Sequence, residues 1–277
     1  MQTNRHNQAR QTADRRTGGF TLLELMVAVA VISVMVLGFG AVLSQARRVV
    51  TTAERHMRAD AAASAIARVI RRDMQNISKS GFLHIAERNL LLTTAGAAPS
   101  LTSNAIGTGS IISYGWPSDG NTFYRQGFVL QKLSDSYTYI PGSGDCMNLN
   151  FAEVQAMPSS GPTCSIDVLA SEVLSYAPGN ITYPPGNVAD VNALWQLLVP
   201  YCSNLVIHYT NPNYDPTASP GDSDREFWMI GASNTWYNST PDWPKAVRFT
   251  FTLAEEGIVA EALEGTTTYE VIAALGS

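Results

Sequence analysis

The chain has few of the residues from which most enzyme and metal sites are built. Its 277 residues include only 4 histidines and 3 cysteines. The sequence contains no His-Glu-x-x-His, Gly-x-Ser-x-Gly or phosphate-loop pattern. The cysteine spacing fits no zinc site. These absences predict that the protein is not an enzyme and that it needs no cofactor.

Basic residues are scarce in the C-terminal part of the chain. Residues 80–277 hold 6 basic and 18 acidic side chains, whereas residues 1–79 hold 12 basic and 5 acidic ones. Proteins that bind nucleic acid need a basic surface that displaces counterions from the phosphates. An acidic region of this size therefore predicts that nucleic acid is not a partner.

Proline is absent before Pro99, and the N-terminal part of the chain contains a long hydrophobic run. From residue 20 to residue 43 only Thr21, Glu24 and Ser33 interrupt it. A helix of this length reaches about 36 Å, enough to cross a bilayer. We predict a leader at 1–19, a transmembrane segment at 20–43, an amphipathic helix at 44–79 that ends at Ser80-Gly81, and a β-rich head at 80–277.

The leader carries four arginines and one aspartate, which favours its retention in the cytoplasm. Arginines at 47 and 48, beyond the hydrophobic run, weaken this charge asymmetry. A secretory signal has its cleavage site after the hydrophobic run, but here a Gly-Gly pair stands before it. The pattern therefore predicts that the run is retained as a membrane anchor.

The junction reads Gly18-Gly19-Phe20-Thr21-Leu22-Leu23-Glu24-Leu25, which resembles the signal of type IV prepilins and type II secretion pseudopilins. The resemblance implies that a prepilin peptidase cuts between Gly19 and Phe20 and methylates the new amino terminus. It also implies that Glu24 pairs with the terminal amine of a neighbouring subunit during filament assembly. The alternative is a glutamate near the membrane interface with its carboxylate in water.

Beyond residue 82 the sequence changes to short β-type runs separated by turn residues. The pattern predicts an α+β, pilin-like fold with an antiparallel sheet on the long helix. Strands are predicted at 82–93, 109–115, 122–132, 165–174, 204–210, 226–231, 245–254 and 266–274. Surface loops are predicted at 141–163, 177–190 and 211–224.

The sequence also predicts two small candidate sites, a disulfide and a calcium site. An exported head could form a disulfide between Cys146 and Cys164, although three unbridged thiols are the alternative. Asp222, Asp224 and Glu226 alternate after a Pro-Gly turn and could supply oxygen ligands to calcium. They lack EF-hand spacing, and a solvated acidic loop is the alternative.

Aromatic residues concentrate near the C-terminus, at Trp228, Trp236, Tyr237 and Trp243. Packing in the core is one interpretation of this group. The other is a stacking surface for a glycan or a partner protein, as a filament-tip adhesin would need.

Two further segments narrow the resemblance. Arg71-Arg72-Asp73-Met74 resembles the helix end of W-type minor pilins and J-type minor pseudopilins, and Trp243-Pro244-Lys245-Ala246-Val247 resembles the opening of the J-type final sheet. This implies a minor subunit near the tip of a type II secretion pseudopilus, anchored in the bacterial inner membrane with its head in the periplasm. Alternatives are a W-type minor pilin of a type IV pilus and a tip adhesin.

The partners that the resemblance implies are other minor and major pseudopilins or pilins, and membrane lipid. Tip subunits of the K type typically lack the glutamate, so Glu24 implies a position below the uppermost subunit.

Overall fold

The computed structural model describes residues 20–100, 104, 106–115, 122–132, 146–161, 164–175, 195–200, 202–213, 215, 217–222, 225, 227–229, 234–254 and 266–276. The chain divides into two compact units, Met1–Glu54 and Arg55–Ser277. The first contains the N-terminal part of a long helix, and the second contains the rest of that helix and all of the strands.

The elements follow one another as a long helix and then a strand-rich head. The helices are α1 (Leu22–Gln75), α2 (Phe151–Ala156) and α3 (Ile166–Ser175). The strands are β1 (Phe82–Ile85), β2 (Leu90–Pro99), β3 (Ile106–Gly115), β4 (Thr122–Leu130), β5 (Cys146–Met147), β6 (Trp195–Pro200), β7 (Cys202–Thr210), β8 (Phe227–Met229), β9 (Asn234–Tyr237), β10 (Ala246–Ala254) and β11 (Thr266–Ala274). The predicted α+β, pilin-like class is confirmed.

The strands form two sheets, where the sequence predicted one. Sheet A has the order β5-β4-β3-β2-β1-β9, with β6 also paired to β4, and sheet B has the order β11-β10-β7-β8. Every described pairing is antiparallel except the short parallel one between β4 and β5. The second sheet was not predicted, because the pattern of a strand does not tell which other strands it pairs with.

Both faces of sheet A are covered by apolar side chains. One face shares a core with α1 and sheet B, and it includes Ile70, Leu83, Tyr114 and Phe249. The opposite face shares a second core with α2 and α3: Phe82, Leu91, Phe128, Val154, Leu169 and Val173. Neighbouring residues of β1 and β2 point to opposite cores, as the alternation of a strand requires. Sheet A therefore separates α1 from α2 and α3.

Helix α1 ends at Gln75, four residues before the predicted end. Beyond this point Ile77 forms a bridge with Thr94, and the Ser78 amide donates to the Thr93 carbonyl at 2.9 Å. The chain thus leaves the helix to pair with β2. The Gly276 amide donates to the Met74 carbonyl at 3.0 Å and satisfies one of the carbonyls left open at the helix end.

The strand predicted at 165–174 is wrong, because these residues form α3. Apolar residues at 166, 169, 170 and 173 recur at intervals of three and four, and all four are buried. The Ser165 hydroxyl accepts from the Val168 amide at 3.3 Å, as in a helix cap. The periodicity was present in the sequence, but short apolar runs fit both strand and helix.

Other boundaries also differ from prediction. The predicted strand 82–93 is a hairpin of β1 and β2, closed where the Ala86 amide donates to the Asn89 carbonyl at 2.7 Å. The predicted loop 141–163 contains β5 and α2, whose start is fixed by a capping box between Asn150 and Glu153. Strands β6 and β9 were not predicted. Strand β11 and nearly all of β10 have the predicted bounds.

Gly81 offers a test of the junction between α1 and sheet A. A Cβ atom at this position would overlap the Thr93 hydroxyl, which is buried and both accepts from the Phe82 amide and donates to its carbonyl. We expect Gly81→Ala to lower the free energy of unfolding by about 1–3 kcal/mol. Gly127→Ala is the matched control, because its Cβ would approach only Arg125, at 3.9 Å. Urea denaturation of both variants would contradict the expectation if their midpoints were equal.

Candidate assembly site

The N-terminal end of α1 is capped by the side chain of Thr21. Its hydroxyl accepts a hydrogen bond from the Glu24 amide at 3.3 Å, and its carbonyl accepts from the Leu25 amide at 3.1 Å. Thr21 and Glu24 have the spacing of a capping box, in which a threonine stands three residues before a glutamate. This spacing is visible in the sequence. The helix cap was nevertheless not predicted, because Glu24 was interpreted only as an assembly residue. Glu24 also lies in the first turn, where the helix dipole favours a negative charge.

The beginning of α1 exposes an unbroken apolar surface. Every residue from 20 to 58 is exposed, including large side chains such as Phe20, Leu22 and Phe39. Monomeric soluble proteins rarely expose apolar surfaces of this size. Among the described residues α1 is the one helix long and apolar enough to cross a membrane. Its N-terminal part is therefore compatible with membrane anchoring.

Within this apolar surface Glu24 is the only charged residue up to Leu43. A carboxylate here accepts hydrogen bonds and can pair with an ammonium group, but it is costly to leave unpaired in lipid. Phe20, the residue predicted to carry the new amine, is 81% exposed. Gly19, the other cleavage residue, lies outside the described residues. The roles of Gly19, Phe20 and Glu24 stay predictions.

The other end of α1 carries a buried carboxylate. Asp73 is 3% exposed, and its Oδ2 accepts from the Tyr114 hydroxyl at 2.6 Å and from Arg125 Nε at 2.6 Å. The exposed Arg72 donates from Nε to Oδ1 at 3.4 Å. A negative charge in the last turn of a helix is disfavoured by the helix dipole. The pairs to β3 and β4 offset this and join α1 to sheet A.

The electrostatics of this cluster keep Tyr114 and Arg125 in the protonation states that their hydrogen bonds to Asp73 require. Burial, and then the charge of Asp73, raises the pKa of Tyr114 far above its usual value, so the hydroxyl remains a donor. Burial lowers the pKa of Arg125, but the hydrogen bond and charge of Asp73 outweigh it and the net direction is upward. An unfolded tyrosine titrates near pH 10. The stability that neutral Tyr114 contributes is therefore present below about pH 10 and lost as the pH rises further.

All three cysteines are thiols in this structure, so the predicted Cys146–Cys164 disulfide is not formed in it. Cys146 is buried in β5, and Cys164 is half-buried just before α3. Burial raises the pKa of Cys202 to about 12 and keeps this thiol protonated at neutral pH. Cys202 belongs to the core around α1, whereas Cys164 packs against the core under α2 and α3. The pairing of Cys146 with Cys164 stays a prediction.

The predicted calcium ligands are only partly described. Asp222 is exposed, and its backbone amide donates to the Ser219 carbonyl at 3.0 Å. Asp224 and Glu226 lie outside the described residues. Within the described part of the chain, no group of three or more His, Cys, Asp or Glu side chains could hold a metal ion.

The aromatic residues near the C-terminus pack inward where their side chains are described. Trp243 is buried, and its indole nitrogen donates to the Tyr237 carbonyl at 3.3 Å. Trp236 is half-buried on β9, and its ring packs edge-on against Tyr209 with centroids 4.9 Å apart. Core packing is the better interpretation of these two tryptophans. The side chain of Trp228 lies outside the described residues.

Of the four histidines, His84 is buried in β1. Its Nδ1 lies 2.7 Å from the Thr235 hydroxyl on β9, and burial lowers its pKa. This contact joins two neighbouring strands, and we assign it a structural role.

The N-terminal part of the chain matches a known protein family. The family described as the prokaryotic N-terminal methylation motif matches residues 14–40. No curated protein and no solved structure matches the chain. The match and the apolar start of α1 are consistent with a type IV pilin-like protein. The motif implies processing by prepilin peptidase and assembly with pilins, and it suggests a structural subunit rather than an enzyme.

Proposed function

We propose that this chain is a minor pseudopilin that assembles near the tip of a type II secretion pseudopilus and primes or caps it. The observation that carries the proposal is the methylation motif at 14–40, followed directly by an exposed apolar helix with one carboxylate near its start. The leader lies in the cytoplasm, the apolar part of α1 lies in the inner membrane, and the head lies in the periplasm. The motif defines the class, and the minor role rests on two further segments.

The first of these segments is Arg71-Arg72-Asp73-Met74, which resembles the helix end of J-type and W-type subunits. In this chain Asp73 and Met74 are both buried at the end of α1. Asp73 is paired with Arg125 and bonded to Tyr114, and Met74 belongs to the core around α1. The second segment, from Trp243 to Val247, resembles the J-type ending. Here it contains a buried tryptophan and opens β10. The J-type resemblance favours secretion over the retractable pilus.

Assembly in this proposal depends on three parts of α1. Glu24 pairs with the amine of Phe20 in a neighbouring subunit, because lipid makes either charge unfavourable alone. The exposed apolar residues between Leu22 and Leu43 exchange lipid contacts for contacts with other helices. The cluster around Asp73 holds the head on the helix while the subunit moves out of the membrane.

Two other functions remain alternatives. A W-type minor pilin would share the motif and the sequence from Arg71 to Met74. A tip adhesin would need an exposed aromatic surface near residues 228–243, and the burial of Trp243 and the partial burial of Trp236 do not favour one.

The test is a clean deletion of this chain in its host, with secreted proteins and surface pili scored in the same cultures. We expect secretion to fall strongly while pili remain, and the full-length chain expressed in trans should restore it. Lost pili with normal secretion would contradict the secretion assignment and support the W-type alternative. Unchanged secretion and unchanged pili would contradict both.

A further inference from the structure

Strand β11 lies at one end of sheet B, where β10 is its only partner among the described strands. The Lys245 carbonyl accepts from the Leu275 amide at 2.9 Å, just beyond the end of the β10–β11 pairing. Bonded and non-bonded pairs alternate in an antiparallel ladder, so the odd-numbered residues of β11 bond to β10. The backbone amides and carbonyls of Thr268, Glu270 and Ile272 therefore point away from sheet B.

This outward edge of β11 is open along most of its length. The Arg71 side chain confirms the direction, since its Nε donates to the Ile272 carbonyl at a long 3.4 Å. Within the described ranges no backbone group bonds to the outward amides and carbonyls of Thr268 and Glu270. Proteins protect such edges with lysine, proline or a bulge, and β11 has none of these. The edge is thus available to another strand.

The edge of sheet A at β9 differs from the edge at β11. The Tyr237 amide donates to the Thr240 hydroxyl at 3.2 Å, and the Tyr237 carbonyl accepts from the Trp243 indole nitrogen at 3.3 Å. The turn that follows β9 therefore occupies the backbone groups at the end of that strand. No described segment does the same for β11.

A groove of about 480 Å³ lies between α1 and this edge, within the unit Arg55–Ser277. We call it the β11 groove. On the helix side it is lined by the small side chains of Ala63, Ser64 and Ala67, and on the strand side by residues 269–271. An extended chain that paired with β11 would direct every second side chain to one face. The small residues of α1 leave room there for an apolar side chain.

The β11 groove also has basic side chains that are available to a ligand. Arg68 and Arg71 line it, and Arg68 makes no hydrogen bond or ion pair with any described residue. Its two acidic residues are already engaged: Asp60 accepts from a tyrosine hydroxyl at 2.7 Å, and the Glu270 carboxylate lies 3.8 Å from Arg248. Because arginine binds carboxylates through paired hydrogen bonds, the groove favours an acidic side chain.

We propose that the β11 groove binds an extended segment of another protein, which adds to sheet B as a further strand. The segment carries an apolar side chain and a carboxylate separated by one residue. These two side chains lie about 6–7 Å apart on one face of a strand, close to the rise of about 6 Å over four residues of α1. The apolar side chain packs on Ala63 and Ala67, and the carboxylate pairs with Arg68. Main-chain hydrogen bonds to β11 supply affinity, and the two side chains supply selectivity.

The inference goes beyond the proposed function, because it depends on the geometry of α1 and β11 and not on the host filament. The probe is a fluorescent nine-residue peptide rich in threonine, with one valine and, two residues later, one glutamate. Its binding to the full-length chain in mild detergent is measured by fluorescence anisotropy. We expect saturable binding, and a peptide methylated at its backbone nitrogens should bind at least ten times more weakly, since it cannot donate to β11.

Glu270→Pro tests the edge on the protein side. Proline removes an amide that points away from β10, so the pairing within sheet B is kept. The matched variant Glu270→Thr removes the same carboxylate but keeps the amide. We expect Glu270→Thr to bind the peptide at least ten times more tightly than Glu270→Pro. Equal binding by the two variants would overturn strand addition, and the methylated peptide gives the same test on the unchanged protein.

Arg68→Glu tests the choice of ligand. This variant should bind the glutamate peptide about ten times more weakly than the wild type does, because like charges then meet. A peptide with lysine in place of the glutamate should show the reverse preference, which also demonstrates that the variant is folded. Unchanged preference would overturn the role of Arg68, and absence of saturable binding to the wild type would overturn the site.

The outcome can be separated from that of the proposed function. If the peptides bind as expected but deletion of the chain affects neither secretion nor pili, the β11 groove is a binding site and the assignment to a filament fails. If deletion abolishes secretion but the wild-type chain does not bind the peptide, this inference fails alone.

Discussion

Glu24→Ala is expected to leave the leader fully cleaved and to reduce incorporation of the chain into filaments by about ten- to a hundredfold. Hydrogen bonds to charged groups contribute about 1.5–3 kcal/mol, and each 1.4 kcal/mol is a factor of ten. Alanine removes the carboxylate without adding a polar group to the membrane segment. Membrane anchoring should therefore be retained, and only docking on the neighbouring amine should be lost.

The measurement compares cleaved chain in membranes with chain in sheared filaments. Gly19→Ala gives the uncleaved reference, since a Cβ at the predicted cleavage residue should block the peptidase. Ser33→Ala is the matched control within the apolar segment: the Ser33 hydroxyl donates to the Val29 carbonyl at 2.8 Å and carries no charge. Normal incorporation of Glu24→Ala would refute the docking role.

Thr21→Ala separates docking from helix capping. This change removes the hydroxyl that accepts from the Glu24 amide but keeps the carboxylate. Loss of a cap costs about 1 kcal/mol, and fraying of the first turn in lipid is limited by the lack of other partners for the backbone. We expect a defect much smaller than that of Glu24→Ala. Equal defects would assign Glu24 to the start of the helix instead.

Asp73→Ala is expected to lower the free energy of unfolding of the head by about 3–5 kcal/mol, because it leaves the guanidinium of Arg125 without its buried partner. The Tyr114 hydroxyl also loses its acceptor. For a domain of about 200 residues, such a loss lowers the midpoint of thermal unfolding by roughly 10 °C or more. The buried tryptophan at 243 provides a fluorescence signal for unfolding of the full chain in detergent.

Asp60→Ala is the matched control on the same helix. Asp60 also accepts from a tyrosine, the Tyr269 hydroxyl at 2.7 Å, but it is exposed, so its loss should cost about 1 kcal/mol or less. A second variant, Asp73→Leu with Arg125→Met, removes both buried charges at similar volume and should be less destabilised than Asp73→Ala. If Asp73→Ala and Asp60→Ala unfolded at the same midpoint, the buried cluster would not hold α1 on the sheet.

The sequence predicted the parts of this fold that depend on local pattern. The continuous apolar run located the first half of α1, and clear alternation located β10 and β11. It failed for α3, a ten-residue segment in which apolar and polar residues mix in a pattern that fits a strand or a helix until burial is known. It also failed for β6 and β9, which are short strands whose pairing depends on distant partners.

The two ends of α1 in the candidate site also differed in how well the sequence predicted them. The cluster of apolar residues around Glu24 is contiguous in sequence, so its motif could be found directly. The cluster around Asp73 joins residues that lie 41 and 52 positions apart, and no spacing rule connects them. The sequence from Arg71 to Met74 marked Asp73 only by resemblance. Tyr114 and Arg125 carried no signal, because each is an ordinary residue of an amphipathic strand until the sheet forms.

The contacts between α1 and β11 have a consequence for the timing of folding. Arg71 and Asp60 bond to residues 201 and 209 positions later, and the end of α1 receives the amide of Gly276. Contacts of such sequence separation form slowly and late. Until residue 276 has been synthesised, the helix end and the core around Ile70 and Met74 stay incomplete. Throughout that interval the nascent chain exposes a second apolar surface besides the membrane segment, and exposed surface of this kind is what chaperones bind.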